Sequence, residues 1–283
     1  MHPNIQEKIN QLKNDRLHGA SWLSIQAIQI LAQAIQETNT ATRSEFIHEL
    51  KTVAAALAEA RPSMASISNN IARLVQQIMP GLQGEKQFDQ AKSTAQSKVS
   101  EFMKLAQEAP LKAAQNGARM VSDRDILITC SYSSIVCTTF TIAQEKAVRF
   151  EVIVAESRYS GTCYGEISAK ELRLHHVPVT IIPDEAIKRH VRKANKALVG
   201  ADTIGSDGSL INGIPTNRLA QAAASAGIPF YCVCETAKFE LLTQRRKPLP
   251  LELGFERIPP DLITGIITET GIVKPGEAGT IRR

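Results

Sequence analysis

Cysteine is scarce in this chain and cannot be fully paired. There are five thiols in 283 residues, at positions 130, 137, 163, 232 and 234. An odd number in mostly apolar surroundings excludes a disulfide framework as the basis of the fold. Aromatic residues are also few, at 5% with one tryptophan. With no basic low-complexity arm and no interleaved aromatic platform, nucleic acid is not an expected partner. No apolar run approaches the length of a membrane span, and residues 1–15 are too polar for a secretory signal, so the cytoplasm is the expected location and no membrane is involved. The six histidines are scattered, with neither HExxH nor CxxC, and no metal site is expected. The second half lacks a GxGxxG after its first strand and a Walker lysine, which disfavours nicotinamide and ATP sites; no cofactor is expected.

What is present is ordinary globular material, 43% hydrophobic and 22% charged, long enough for one large domain or two smaller ones. The formal charge of +5, from 33 Lys and Arg against 28 Asp and Glu, is a mild excess compatible with an anionic small ligand.

Hydrophobic periodicity divides the chain near residue 120. Residues 1–120 read as a helical domain. "SWLSIQAIQILAQAIQET" sets Trp22, Ile25, Ile28, Leu31 and Ile35 in a stripe expected to pack on another helix. "SEFIHELKTVAAALAEA" repeats it with Phe46, Leu50, Val53 and Leu57 and stops before Pro62. A third helix is predicted over 68–78, broken by "MPGLQGE", and a long charged one from Lys86 to Asn116. In residues 121–283 short apolar runs at 126–129, 149–156, 177–182, 196–202, 228–234 and 262–268 read as strands, the first five separated by helical segments. That alternation predicts an α/β domain with a mostly parallel sheet covered on both faces, whose ligand lies beyond the carboxyl ends of the strands. Cys232 and Cys234 alternate along one strand and read as core, as does Cys137.

The candidate site residues fall at those strand ends. Cys130 closes the first strand, ahead of Ser131, Tyr132, Ser133, Ser134 and a helix. The helix end offers amides to an anion and can lower the pKa of the thiol; a buried structural cysteine is the alternative reading. Arg158, at the next exit beside Glu156, can grip a phosphate or simply pair locally. Asp202 follows "LVGA" at another exit, where a carboxylate can trade protons with a sugar hydroxyl or merely cap its own loop. Asp207 reads as a turn former, Asn212 as donor and acceptor, and Thr216 as a helix cap. A thiol, a carboxylate and an anion-binding helix end suit proton movement on a phosphorylated sugar.

The ordered motifs "HGA", "RPSMASISNNIARL", "ILITCS", "VAESR", "GADTIGSDGSLINGIPTN", "PFYCVCETAKF" and "DLITGIITETGI" resemble the initiation-factor-2B-related family. That family includes the alpha, beta and delta subunits of the exchange factor 2B and two sugar-phosphate isomerases, for methylthioribose 1-phosphate and ribose 1,5-bisphosphate. The resemblance implies a helical N-terminal domain, a Rossmann-like C-terminal domain and a dimer or larger homo-oligomer formed largely through the C-terminal halves. It implies a catalytic pair at Cys130 and Asp202, and substrate contacts at His18, Gly19, Ala20, Arg61, Ser131, Arg158, Asn212, Gly213 and Lys238. The partner it implies is a small phosphorylated sugar or a nucleotide. Two positions depart from the isomerase pattern: His18 stands where an arginine is expected, and Gly213 where a lysine is expected. The reading is therefore an isomerase of ribose 1,5-bisphosphate, the alternative a non-catalytic regulatory subunit. The apolar tail, with Leu262, Ile263, Ile266 and Ile267, is expected either to serve an interface or to finish the chain's own core.

Overall fold

In the computed structural model, which describes residues 1–84, 88–240 and 251–280, the chain forms two compact units, Met1–Glu108 and Ala109–Arg283. The division falls inside a continuous helix, ahead of the change in periodicity near residue 120.

The first unit is helical: α1 (Pro3–Asn14), α2 (Ala20–Glu37), α3 (Arg43–Ala58), α4 (Ala65–Gly84) and the start of α5 (Phe88–Ala118). A reciprocal capping box begins α3, in which Thr42 accepts from the Glu45 amide and the Glu45 carboxylate accepts from the Thr42 amide. Phe46, Leu50, Val53 and Leu57 are buried on one face, as their spacing requires. The break expected at "MPGLQGE" does not fall at Pro80, since α4 runs through it to Gly84, and Glu85 lies outside the described residues. Its buried stripe of Ile67, Ile71, Leu74, Ile78 and Leu82 extends past the proline, and packing of Leu82 outweighs one lost backbone hydrogen bond. The predicted helix start at Lys86 lies outside the described residues. Trp22 is also corrected: it is 43% exposed, and Leu23 takes the core position.

The second unit carries a seven-stranded sheet, with smaller sheets beside it. Its elements are β1 (Asp125–Thr129), α6 (Ser134–Glu145), β2 (Phe150–Ala155), β3 (Arg158–Tyr159), β4 (Thr162–Cys163), α7 (Tyr164–Leu174), β5 (Val179–Ile182), α8 (Ile187–His190) and β6 (Lys196–Val199). There follow β7 (Thr203–Ile204), β8 (Leu210–Gly213), α9 (Thr216–Ala226), β9 (Phe230–Val233), β10 (Phe255–Ile258), β11 (Gly265–Thr268) and β12 (Gly271–Val273). The main sheet is ordered β12-β11-β9-β6-β1-β2-β5, parallel except for β12 at its edge. The six expected strands are all in it, and β12 is the one the sequence did not reveal.

Alternate residues of the strands feed two separate cores. Ile128, Ile153, Val199, Cys232 and Ile266 pack with α8 and α9, while Leu127, Val152, Leu198, Val233 and Ile267 pack with α6 and α7. Both faces are therefore covered, which explains the nearly continuous apolar runs. Ile263, Ile266 and Ile267 are buried in these cores, so the tail finishes the unit's own interior. None of the described helices is long and apolar enough to cross a membrane.

The chain order reverses between β1 and β6: from β1 the sheet grows through β2 and β5 on one side and through β6, β9 and β11 on the other. The carboxyl ends of β1 and β6 flank this switch point, where an open α/β sheet leaves a crevice. The Gly-rich stretch after β6 is a second, antiparallel sheet of order β10-β8-β7. The sequence reads there only as loop.

Candidate functional site

Cys130 is the first residue after β1 and Asp202 stands just beyond β6, one on each side of the switch point. Their loops are in contact, because a Cβ at Gly200 would collide with Ser133 Oγ. Only glycine lets the β6 exit and the start of α6 approach so closely. The hairpin of β7 and β8 holds the acid, with the Asp202 amide donating to the Ile211 carbonyl at 2.9 Å.

Cys130 is 1% exposed. Its Sγ lies 3.4 Å from Thr216 Oγ1, which accepts from Asn212 Nδ2 at 3.0 Å and donates to the Gly213 carbonyl at 2.6 Å. Thr216 is thus the first residue of α9 rather than its cap, the expectation of a side-chain cap being overturned. The expected downward shift of the thiol is overturned too. Burial pushes the Cys130 pKa up to about 12, the contact with Thr216 opposes this in part, and the carboxylates of Glu256 and Asp184 add to it. A single helix end does not offset the loss of water around sulfur.

Ser131 adopts a left-handed backbone, with φ of 61°. Its amide donates to Ser157 Oγ at 2.7 Å, and the Ser157 amide donates to Asp184 Oδ1 at 2.7 Å. This relay across the exits of β1, β2 and β5 holds the turn that carries Cys130. Gly213 lies against the same turn, where an added Cβ would be 2.6 Å from Ser131 Oγ. The lysine expected at 213 therefore has no room unless Ser131 moves.

Lys238, on a 3-10 turn after β9, is buried at 3% exposure with Nζ 3.6 Å from Glu235 Oε2. Desolvation pulls its pKa down, but the charges of Glu235 and Asp202 outweigh that and hold it above its ordinary value. The cation is thus maintained in the interior and coupled to Asp202. Arg158 takes the local alternative: it is exposed and makes bonds of 2.8 and 3.2 Å to the Glu156 carboxylate. Sequence reasoning missed Glu256, which pairs opposite Asn212 in the β8–β10 ladder and accepts from the Asn217 amide at the start of α9. Its pKa is raised, first by burial, against the Asn217 bond and Arg218. Asp207 forms its turn as read, accepting from both the amide and the hydroxyl of Ser209.

The remaining site candidates gather in the first unit, at the start of α2. His18 stacks on Trp22 with centroids 3.8 Å apart and bonds through Nδ1 to Asp15 Oδ2 at 2.8 Å. Gly19 is the N-cap of α2, without a side-chain cap, and Ala20 opens the helix. Arg61, 3% exposed, donates from Nη1 to the Asp15 carbonyl at 2.6 Å. Among the described residues no cluster of His, Cys, Asp or Glu is arranged to hold a metal ion.

Residues 16–257 match the Initiation factor 2 subunit family. The eIF-2B subunit 2-like protein of Pyrococcus abyssi is 31% identical over 281 residues, covering 95% of this chain and 96% of that one. A ribose 1,5-bisphosphate isomerase of Haloterrigena turkmenica is 31% identical over 241 residues, covering 85% of this chain and 72% of that one. Among solved structures, the Pyrococcus horikoshii OT3 translation initiation factor eIF-2B superposes with a TM-score of 0.82 at 29% identity, covering 97% and 98% of the two chains. A chain of the tetrameric eIF2B-beta2-delta2 complex of C. thermophilum shares the fold, with a TM-score of 0.81 at 21% identity over 98% and 92%.

Proposed function

Because the chain belongs to the initiation factor 2 subunit family, we propose that it is a sugar-phosphate aldose–ketose isomerase, converting ribose 1,5-bisphosphate to ribulose 1,5-bisphosphate. The observation that carries this reading is the placement of Cys130 and Asp202 on the two sides of the switch point, with their loops in contact through Gly200 and Ser133. Relatives named ribose 1,5-bisphosphate isomerase support the substrate.

The chemistry follows from the two groups. Once a substrate phosphate has taken up the charge of Lys238, Asp202 gains a proton from solvent and, as the acid, gives it to the ring oxygen as the ring C1–O bond breaks, leaving C1 an oxocarbenium centre that still bears the phosphate oxygen. Cys130, once ionised, takes the proton from C2, and the C–H electron pair forms the C1–C2 double bond. Asp202, now the carboxylate, takes the proton of the 2-hydroxyl as the C2 carbonyl forms. The double-bond electrons collect a proton at C1 from the Cys130 thiol, which leaves Cys130 again the thiolate and Asp202 again the acid. The hydrogen moves as a proton throughout, so the scheme uses neither metal nor nicotinamide. Lys238 is the buried cation available for a phosphate and holds Asp202 by charge. Purified protein incubated with ribose 1,5-bisphosphate is expected to yield ribulose 1,5-bisphosphate, resolved by phosphorus NMR; absence of product removes this substrate.

One observation favours a second reading, a non-catalytic regulatory subunit that binds a phosphosugar or nucleotide in the cytoplasm. Residue 213 is a glycine whose added Cβ would meet Ser131 Oγ, and Arg158 is engaged by Glu156, so the cationic complement is reduced. Each charge-assisted bond removed from a phosphate costs about 1.5–3 kcal/mol. Thermal shifts on adding sugar phosphates or nucleoside monophosphates, without turnover, would select it.

We also assign the chain to a homodimer or a larger homo-oligomer. The C. thermophilum structure is named as a tetramer, and closed two-fold assemblies are the commonest. Light scattering at micromolar concentration is expected to give at least twice the chain mass; a stable single-chain mass rejects the assignment.

A further inference from the structure

The proposed chemistry needs a thiol that is aimed and can then ionise, and the residue in contact with Cys130 Sγ is Thr216. A threonine hydroxyl has one hydrogen and two lone pairs. Here the hydrogen goes to the Gly213 carbonyl at 2.6 Å, and one lone pair takes the Asn212 amide at 3.0 Å. Only the second lone pair faces sulfur, so at the Cys130–Thr216 contact of 3.4 Å the thiol must be the donor. Both residues are buried, Thr216 at 0% and Cys130 at 1% exposure, so water does not compete for either group.

We propose that Thr216 is a positioning residue whose hydroxyl fixes the direction of the Cys130 S–H bond in the resting state and, when the thiol gives its proton to hydroxide as the base, which becomes water, turns its own hydrogen from the Gly213 carbonyl to the thiolate. No proton passes to Thr216. The S–H proton leaves with the base, the Thr216 hydrogen stays on its oxygen, and the carbonyl loses one donor. Asn212 keeps its bond to Oγ1 in both states and holds the oxygen in place while the hydrogen turns. Burial of the thiol makes such a donor consequential, because Thr216 is the hydroxyl hydrogen-bonded to sulfur among the described residues. This inference rests on Cys130 being the proton-carrying group of the proposed isomerase.

The test is vibrational. Hydrogen bonding lowers the frequency of an S–H stretch, and the difference spectrum of the parent protein minus Cys130→Ala isolates the Cys130 band from the other four thiols. In the parent the band is expected at the low, hydrogen-bonded position. Thr216→Val, which keeps shape and removes the hydroxyl, is expected to move it to the free-thiol position. The same change is expected to slow iodoacetamide labelling of Cys130 at about pH 8 by roughly tenfold, as one pKa unit requires. Thr216→Ser is expected to restore both. A free-thiol band in the parent, a band unmoved by Thr216→Val, or labelling of that variant as fast as the parent overturns the proposal. Neither readout uses turnover, so lack of activity on ribose 1,5-bisphosphate would strike the isomerase reading and leave the band where it is.

Discussion

Asp202→Asn is expected to lower turnover of ribose 1,5-bisphosphate at least about 100-fold, with a much smaller change in KM. Asparagine keeps the size of the side chain and its capacity to accept a hydrogen bond, but it can neither give a proton to the ring oxygen nor take one from the 2-hydroxyl. A group that acts only as chemistry proceeds appears in kcat, and 100-fold corresponds to about 2.7 kcal/mol of barrier. The variant also removes one of the charges that hold Lys238 protonated, but Glu235 remains at 3.6 Å, so the buried cation keeps a partner. A melting curve close to that of the parent would establish that the fold is retained. Unchanged turnover in a folded Asp202→Asn protein removes the carboxylate from the mechanism, and a loss confined to KM reassigns it to binding.

The second large effect is on pH. With the Cys130 thiol pushed up to about 12, thiolate is a minor species at neutral pH and its fraction grows about tenfold with each pH unit. Turnover also requires the acid form of Asp202, so the thiolate is read directly from iodoacetamide labelling of Cys130, whose rate is expected to rise in the same proportion, roughly 100-fold between pH 7 and 9. A labelling rate that is flat over that range excludes a thiol that ionises near 12. The same burial sets an upper limit to the assay. A thiol whose folded pKa lies above its ordinary value of 9.0 contributes stability that is fully present below 9, and that stability is lost as pH climbs toward 12. Melting temperatures should therefore fall on the alkaline side of about 9, and rates are to be read below it.

The parallel sheet was legible because its central strands are largely buried on both faces, so that Ile126–Thr129 or Phe230–Val233 reads as a short apolar block between helical segments. The positions of Cys130 and Asp202 at strand exits followed directly. Three features were not legible, for separate reasons. The β7, β8 and β10 strands are short, and β10 joins β8 across more than forty residues, so no local pattern marks the pairing of Glu256 with Asn212. Helix α4 passes Pro80 because Leu82 is packed, a tertiary gain that local propensity does not contain. The ionisation of Cys130 depends on how completely the turn of 131–133, α9 and the β8–β10 ladder exclude water, which position at a helix end does not report. Trp22 was misread because its spacing fits the buried stripe equally well; the exchange with Leu23 is a rotation of one residue on the helix surface.

The contact of Gly213 with Ser131 also constrains the order in which this site can change. A lysine introduced at 213 on its own would bring its Cβ against Ser131 Oγ, so the serine hydroxyl would have to turn away. Ser131→Gly taken first removes that oxygen and suits the left-handed backbone already in place at 131, where φ is 61°. The two positions, distant in sequence, are therefore coupled through space. Glycine at 131 would ease the change between a neutral and a cationic crevice, whereas the serine here must turn its hydroxyl before residue 213 can grow.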